Sequence, residues 1–173
     1  MDELAGIIMA AGEGSRMKSR TPKVMHCLCG KELLRFPVEL LSKLGMTRIV
    51  VVVSPANQEA IKGLLGDTVE YAVQEARTGT VGAVESAASM LQGQCERVVV
   101  IGGDAPLVAE DSVRRLIDGH IQDFRQMSIL SGIVQVSQGL GRISRDLGSQ
   151  QNVLGIVEAN DDTGRTGEPI EIN

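Results

Sequence analysis

The stretch "GIIMAAGEGSRMKSRTPKVMH", residues 6–26, decides the fold. Its apolar run reads as a strand, and the strand opens into a loop carrying Gly12 and Gly14. A loop at a strand's carboxyl end sits where open α/β sheets bind their ligands. Glycines there let backbone N–H groups approach an anion without a Cβ in the way. Two familiar glycine loops are excluded. The dinucleotide fingerprint wants a third glycine where Met17 stands, and the P-loop wants Gly-Lys-Ser/Thr, which is missing. What remains is G-x-G-x-R, a different phosphate loop.

Working outward, short β-branched runs recur with helical patterns between them. Strands are expected at 4–9, 48–53, 69–73 and 97–101. Continuous apolar runs of this length suit strands covered on both faces, as in parallel sheets. Residues 31–44 carry Leu33, Leu34, Val38, Leu41 and Leu44 on one helical stripe, with Pro37 either kinking the helix or marking a late start. Residues 54–66 offer a Ser cap, a Pro in the first turn and a Gly stop. Further helices are expected at 80–91 and 110–121. This alternation predicts a three-layer α/β domain with right-handed crossovers. After residue 124 the pattern changes to strands at 126–136, with a bulge at Gly132, and at 141–146 and 152–160. A polar loop follows at 160–169. The expected class is therefore α/β, a Rossmann-like mixed and mostly parallel sheet with a strand-rich C-terminal extension.

Composition narrows the function classes. The chain has 173 residues, 43 % of them hydrophobic, and a formal net charge of −5. The acidic balance argues against general nucleic-acid binding. With no Trp, one Tyr and two Phe, it lacks the aromatics of a single-strand stacking platform. No apolar run approaches the ~18 residues of a membrane span. Asp2 and Glu3 stand where a signal peptide needs positive charge. The expectation is a soluble, cytoplasmic protein with no nucleic-acid or membrane partner. His26, Cys27 and Cys29 form H-C-x-C, but zinc sites usually need four ligands in separated pairs. These cysteines and Cys95 are read as small buried hydrophobes.

Five cations, Arg16, Lys18, Arg20, Lys23 and Lys31, face one acid, Glu13, between residues 13 and 31. A triphosphate needs clustered cations and metal to neutralise it. Arg16 can fold back over the loop and grip a phosphate with two hydrogen bonds. Lys23 follows Pro22, whose fixed φ aims it. Lys18, Arg20 and Lys31 are read as solvated charge. Asp104, in "GGDAPL" just past the strand at 97–101, is placed to hold Mg²⁺ against phosphate oxygens. That ion typically takes one or two carboxylates and leaves the rest of its shell to phosphate and water. Gly102 and Gly103 clear space beside it.

These motifs together resemble the sugar-phosphate nucleotidyltransferases. Residues 4–26 resemble that family's L-A-A-G-x-G-T-R-M…P-K signature, "QEARTGTVGAV" (74–84) its Q-x-x-x-x-G-T-x-x-A segment, and "GGDAPL" its G-D-x-P-L segment. "GLGRI" (139–143), "GIVEAND" (155–161) and "EIN" (171–173) follow in the family's order. The nearest type is the N-terminal uridyltransferase, or pyrophosphorylase, domain of bifunctional enzymes that make UDP-N-acetylglucosamine. The resemblance implies the nucleotide-diphospho-sugar transferase fold and a role for each matching residue. Met9, Ala10, Ala11 and Gly12 would line the uridine and ribose, with Gly103 beside them. Gln74, Gly79 and Thr80 would read the uracil edge. Arg16 and Lys23 would be catalytic on the phosphates, and Asp104 would ligate Mg²⁺. Gly141, Glu158 and Asn173 would bind the sugar phosphate.

The implied reaction is in-line attack by the oxygen of N-acetylglucosamine-1-phosphate on the α-phosphorus of UTP, releasing pyrophosphate. The nucleophile is already an anion, so no general base is demanded. Residues 1–173 are expected to be one nucleotidyltransferase domain, truncated at its C-terminal end before a further metal-binding Asn. Such a piece is expected to turn over slowly or not at all, and a homo-oligomer comes into question only for a longer chain. Thr21 stands where the family has Leu, and "GTVGAV" departs from G-T-G-H. Guanylyl or cytidylyl transfer and a non-catalytic nucleotide-binding module are the alternatives.

Overall fold

A computed structural model describes residues 2–12, 14, 17–76, 78–135, 141–146, 149–157 and 170–172. It divides into two compact units, Met1–Glu110 and Asp111–Asn173. Among the described residues no helix is long and apolar enough to cross a membrane.

The first unit is built on four parallel strands, β1 (Asp2–Met9), β4 (Ile49–Val53), β5 (Glu70–Val73) and β6 (Cys95–Gly102), in the order β5-β4-β1-β6. Residues Val50–Val53 of β4 are fully buried, which is what a continuous β-branched run between two covered faces should do. Each such side chain contributes about 1.5–3 kcal/mol relative to exposure. Ala5 and Ile7 face α3 (Gly79–Leu91) and pack with Ala83, Ala87 and Leu91. Gly6 points to the opposite face, where a Cβ would come within 2.6 Å of Leu41 in α1 (Arg35–Lys43). Helices thus cover both faces, and the expected layered α/β architecture is found.

The helix expected at 31–44 begins only at Arg35. Before it, β2 (Cys27–Leu28) and β3 (Lys31–Glu32) form a small antiparallel hairpin. Its turn residues, Cys29 and Gly30, have φ of 53° and 82°, the twist a two-residue hairpin loop requires. Pro37 sits in the first turn of α1, where its missing N–H costs no helical bond, so it marks a late start. Cys27 and Cys29 are exposed, not buried, because the hairpin carries them; Cys95 is half-buried beside the core.

The helix expected at 54–66 is shorter, α2 (Gln58–Leu65). Ser54 does not cap it. Asn57 does the anchoring, its Oδ1 accepting from the Ser54 N–H at 2.8 Å. Gly66 ends the helix at φ +60° as expected.

In the second unit, α4 (Glu110–Gln122, from Asp111 onward) is followed by an antiparallel sheet. Its strands are β7 (Gly132–Val134), β8 (Arg142–Asp146), β9 (Ser149–Val157) and β10 (Ile170–Ile172), in the order β7-β10-β8-β9. The expected strand-rich extension is present. The expected bulge at Gly132 is not: Gly132 pairs regularly with Ile172, and the irregular register lies between Ser144 and Asp146. The loop at 160–169 and the end of the strand expected at 152–160 lie outside the described residues.

Candidate active site

From β1 the chain winds outward to β4 and β5, then returns to place β6 on the other side of β1. Ligands of open α/β sheets bind in the crevice beyond the strand ends at such a reversal. The register aligns Met9 with Gly102, so the glycine loop and the "GGD" turn emerge side by side. Gly103 N–H donates to the Met9 carbonyl at 2.8 Å and locks the two turns together. A Cβ on Gly103 would come within 3.0 Å of both that carbonyl and Leu34 Cδ1. The glycine is therefore a packing requirement.

Beyond these ends lies a cleft of about 650 Å³, within the usual range for a small-molecule site. Its floor carries Met9, Ala11, Gly12 and Gly14; one wall carries Lys23, Val24, Gly102 and Asp104; the other carries Gln74, Gly79, Thr80 and Ala83. Ala10 is buried instead, its N–H bonded to Val52 O and its carbonyl accepting from Asn57 Nδ2.

Lys23 opens a single 3₁₀ turn, Lys23–Met25, after Pro22 at φ −52°. Val24 is buried and its carbonyl accepts from Leu34 N–H at 2.9 Å, which fixes the turn to the body. From that base the Lys23 ammonium pairs with the Asp104 carboxylate on the same wall of the cleft. Both side chains remain about two-fifths exposed, so incoming ligands can reach them. Gly14, at φ +60°, lies so close that a Cβ would come within 2.5 Å of Lys23 Cβ. The loop's second glycine therefore makes room for the lysine.

On the opposite wall, Gln74 N–H extends the sheet by donating to Val53 O. Its Nε2 lies 3.1 Å from Gly79 O and 3.5 Å from Thr78 Oγ1. Gly79 begins α3 at φ +69°. Lys31 is engaged elsewhere, paired with Glu39 and lying 4.4 Å over the Phe36 ring. Lys18 and Arg20 are exposed and do not line the cleft.

The structure thus brings together Met9, Ala11, Gly12, Lys23, Gln74, Gly79, Thr80 and Asp104, with Gly103 packed behind. Gly141 belongs to the second unit, immediately before β8. Arg16, Glu158 and Asn173 lie outside the described residues. Among the described residues no group of three or more His, Cys, Asp and Glu side chains is arranged to hold a metal. Sequence reasoning missed Asn57, only 5 % exposed, which ties the start of α2 to the Ala10 carbonyl under the glycine loop. It also missed Thr78 and Gly82, whose packing against Gln74 leaves no periodic signal. Asn57 alone had a cue, the turn-forming S-P-A-N.

Residues 6–131 match the family described as the MobA-like NTP transferase domain. The chain is 39 % identical to the bifunctional protein GlmU of Caldanaerobacter subterraneus subsp. tengcongensis over 173 residues, covering all of this chain and 37 % of that protein. It is 38 % identical to the bifunctional protein GlmU of Geobacter metallireducens, covering all of this chain and 36 % of that one. The chain spans a little over a third of the length of these curated relatives. A Bacillus anthracis crystal structure described as a candidate glucose-1-phosphate thymidylyltransferase superposes with a TM-score of 0.69 at 20 % identity, over 90 % of this chain and 64 % of that one. A Mycobacterium tuberculosis structure superposes with a TM-score of 0.59 at 21 % identity, over 68 % of this chain and 60 % of that one. The two superpositions speak to the fold alone, whereas the family match runs through both turns of the cleft: the chain belongs to the MobA-like NTP transferase domain family.

Proposed function

We propose that this chain carries the nucleotidyl-transfer site of an enzyme that moves a uridylyl group from UTP to N-acetylglucosamine-1-phosphate, giving UDP-N-acetylglucosamine and pyrophosphate. The observation that carries it is the meeting of Lys23 and Asp104 in one cleft, beside the glycine loop. A cation and an acid that meet beside a glycine loop suit a metal-bound triphosphate. Met9, Ala11 and Gly12, with Ala10 behind them and Gly103 packed beside them, would cradle the nucleoside. Arg16 and Lys23 would hold the phosphates. Gly141, Glu158 and Asn173 would take the sugar phosphate.

Gln74 supports the choice of base. Gly79 O can only accept, so the amide atom 3.1 Å from it is the nitrogen. With Nε2 turned toward both Gly79 O and Thr78 Oγ1, the atom Gln74 would offer a base is its carbonyl oxygen. Uracil presents an imide N–H to such an acceptor; cytosine presents a lone pair.

The donor set fits Mg²⁺. Asp104 supplies one hard, accessible oxygen ligand, and Gly102 leaves the space beside it open, since a Cβ there would come within 2.8 Å of Asp104 Oδ1. When bound, the ion would neutralise phosphate charge and align the triphosphate. Lys23 and Arg16 would stabilise the charge that develops on the transferring phosphoryl group. The attacking phosphate oxygen is already ionised, so alignment carries the rest of the acceleration.

The test is pyrophosphate release with UTP, CTP, GTP and ATP, each with Mg²⁺ and with or without N-acetylglucosamine-1-phosphate. Release confined to UTP plus the sugar phosphate is the expected result. Release with CTP or GTP would move the reading to cytidylyl or guanylyl transfer. Thermal stabilisation by UTP without release from any nucleotide would leave a binding module.

A further inference from the structure

Thr78 occupies the N-cap position of α3, yet its hydroxyl caps nothing. A threonine there normally accepts from an N–H of the first turn. Instead its Oγ1 lies 3.5 Å from Gln74 Nε2 and 3.4 Å from Ala76 O. The side chain has this place because residue 82 is glycine. A Cβ on Gly82 would overlap the Thr78 hydroxyl, come within 2.7 Å of Thr78 Cβ and stand 3.1 Å from Gln74 Nε2. Gly82 is buried inside a helix, where glycine costs about 0.5–1 kcal/mol relative to alanine. That cost is offset only if the space is used.

We propose that Thr78, seated in the space left by Gly82, is a positioning residue for base selection: it backs the Gln74 amide nitrogen and keeps its donor end turned to Gly79 O. The inference rests on the reading that Gln74 meets the base. Gly79 O holds one amide hydrogen and the Thr78 hydroxyl receives the other. An amide held by both cannot rotate to offer a donor to cytosine. With Thr78 gone, one hydrogen is released and the bond to Gly79 O alone resists rotation.

The experiment measures Mg²⁺–UTP and Mg²⁺–CTP affinity calorimetrically for the whole chain and for Thr78→Val, Thr78→Ser and Gly82→Ala. The wild type should prefer UTP. Thr78→Val, which keeps the shape and loses the hydroxyl, should narrow the UTP:CTP affinity ratio by about two- to threefold, the low end of the scale of one hydrogen bond. Thr78→Ser should retain the ratio. Gly82→Ala should narrow it, because its methyl contests the same space. Circular dichroism establishes that each variant is folded. If Thr78→Val weakens both nucleotides equally or leaves the ratio unchanged, the positioning role is wrong while the uridylyl reading stands. The same holds if Gly82→Ala merely stabilises the helix. If the wild type binds neither nucleotide, or both alike, the uridylyl reading fails and takes this inference with it.

Discussion

At the scale of single residues, the two glycines of the first loop do different work. Gly12 has an ordinary backbone and nothing within 4 Å of where a Cβ would stand. Gly14 has φ +60° and a neighbour, Lys23, whose Cβ belongs to a turn held by buried Val24. An alanine at position 14 would meet both a left-handed strain of about 1–2 kcal/mol and a contact near the Lys23 backbone. Gly14→Ala should therefore lower Tm by several degrees, since about 1 kcal/mol moves a domain of this size by 2–4 °C. It should also weaken Mg²⁺–UTP binding, because the lysine moves off the cleft. Gly12→Ala should leave Tm unchanged. Differential scanning calorimetry of the two variants decides it, and equal melting temperatures would refute the assigned difference.

At the scale of elements, the second unit's sheet is tied by one carboxylate. Glu171, in β10, accepts two bonds from the Arg145 guanidinium of β8, at 2.5 and 2.6 Å, and one from the Ser131 hydroxyl, just before β7, at 2.6 Å. Two neighbouring segments thus converge on β10 through it. Hydrogen bonding to Arg145, then to Ser131, lowers its pKa from 4.5 to about 2. A folded pKa below the unfolded one stabilises the fold at pH above about 4.5, and that contribution is lost as pH falls toward 2. The pair is partly exposed, so solvent screening reduces that contribution. Glu171→Gln should lower stability to urea at pH 6 and flatten its decline between pH 4.5 and 2. Parallel acid limbs for variant and wild type would show that Glu171 does not carry the effect.

At the scale of the whole molecule, the buried strands and the turns between them were legible to different degrees. β1 and β4 were readable because strands covered on both faces must be apolar throughout. Gly12, Lys23 and Asp104 were readable because loops at strand ends announce themselves by glycine, proline and charge. The β2–β3 hairpin was not, since two-residue strands leave no period. The roles of Asn57, Thr78 and Gly82 were not either, because they depend on contacts across turns, where shape decides. Charge was legible in amount but not in use. The chain carries −5 overall, and the proposed ligand is itself an anion. The net charge acts on the ligand from tens of ångströms, where salt screens beyond about 8–10 Å. The proposed contact with Lys23 would act at about 4 Å, where two unit charges near a protein surface attract by about 4 kcal/mol at an effective dielectric of 20, before solvent and salt reduce it. Contact wins, so UTP affinity should fall as KCl rises from low to high concentration. Lys23→Gln should weaken binding and shallow that dependence by about one unit charge. Lys18→Gln and Arg20→Gln, at exposed positions off the cleft, should leave it nearly unchanged. Isothermal titration across a salt series separates them, and a slope that responds equally to all three would mean that the cations act as a diffuse field and that Lys23 has no privileged contact with the phosphates.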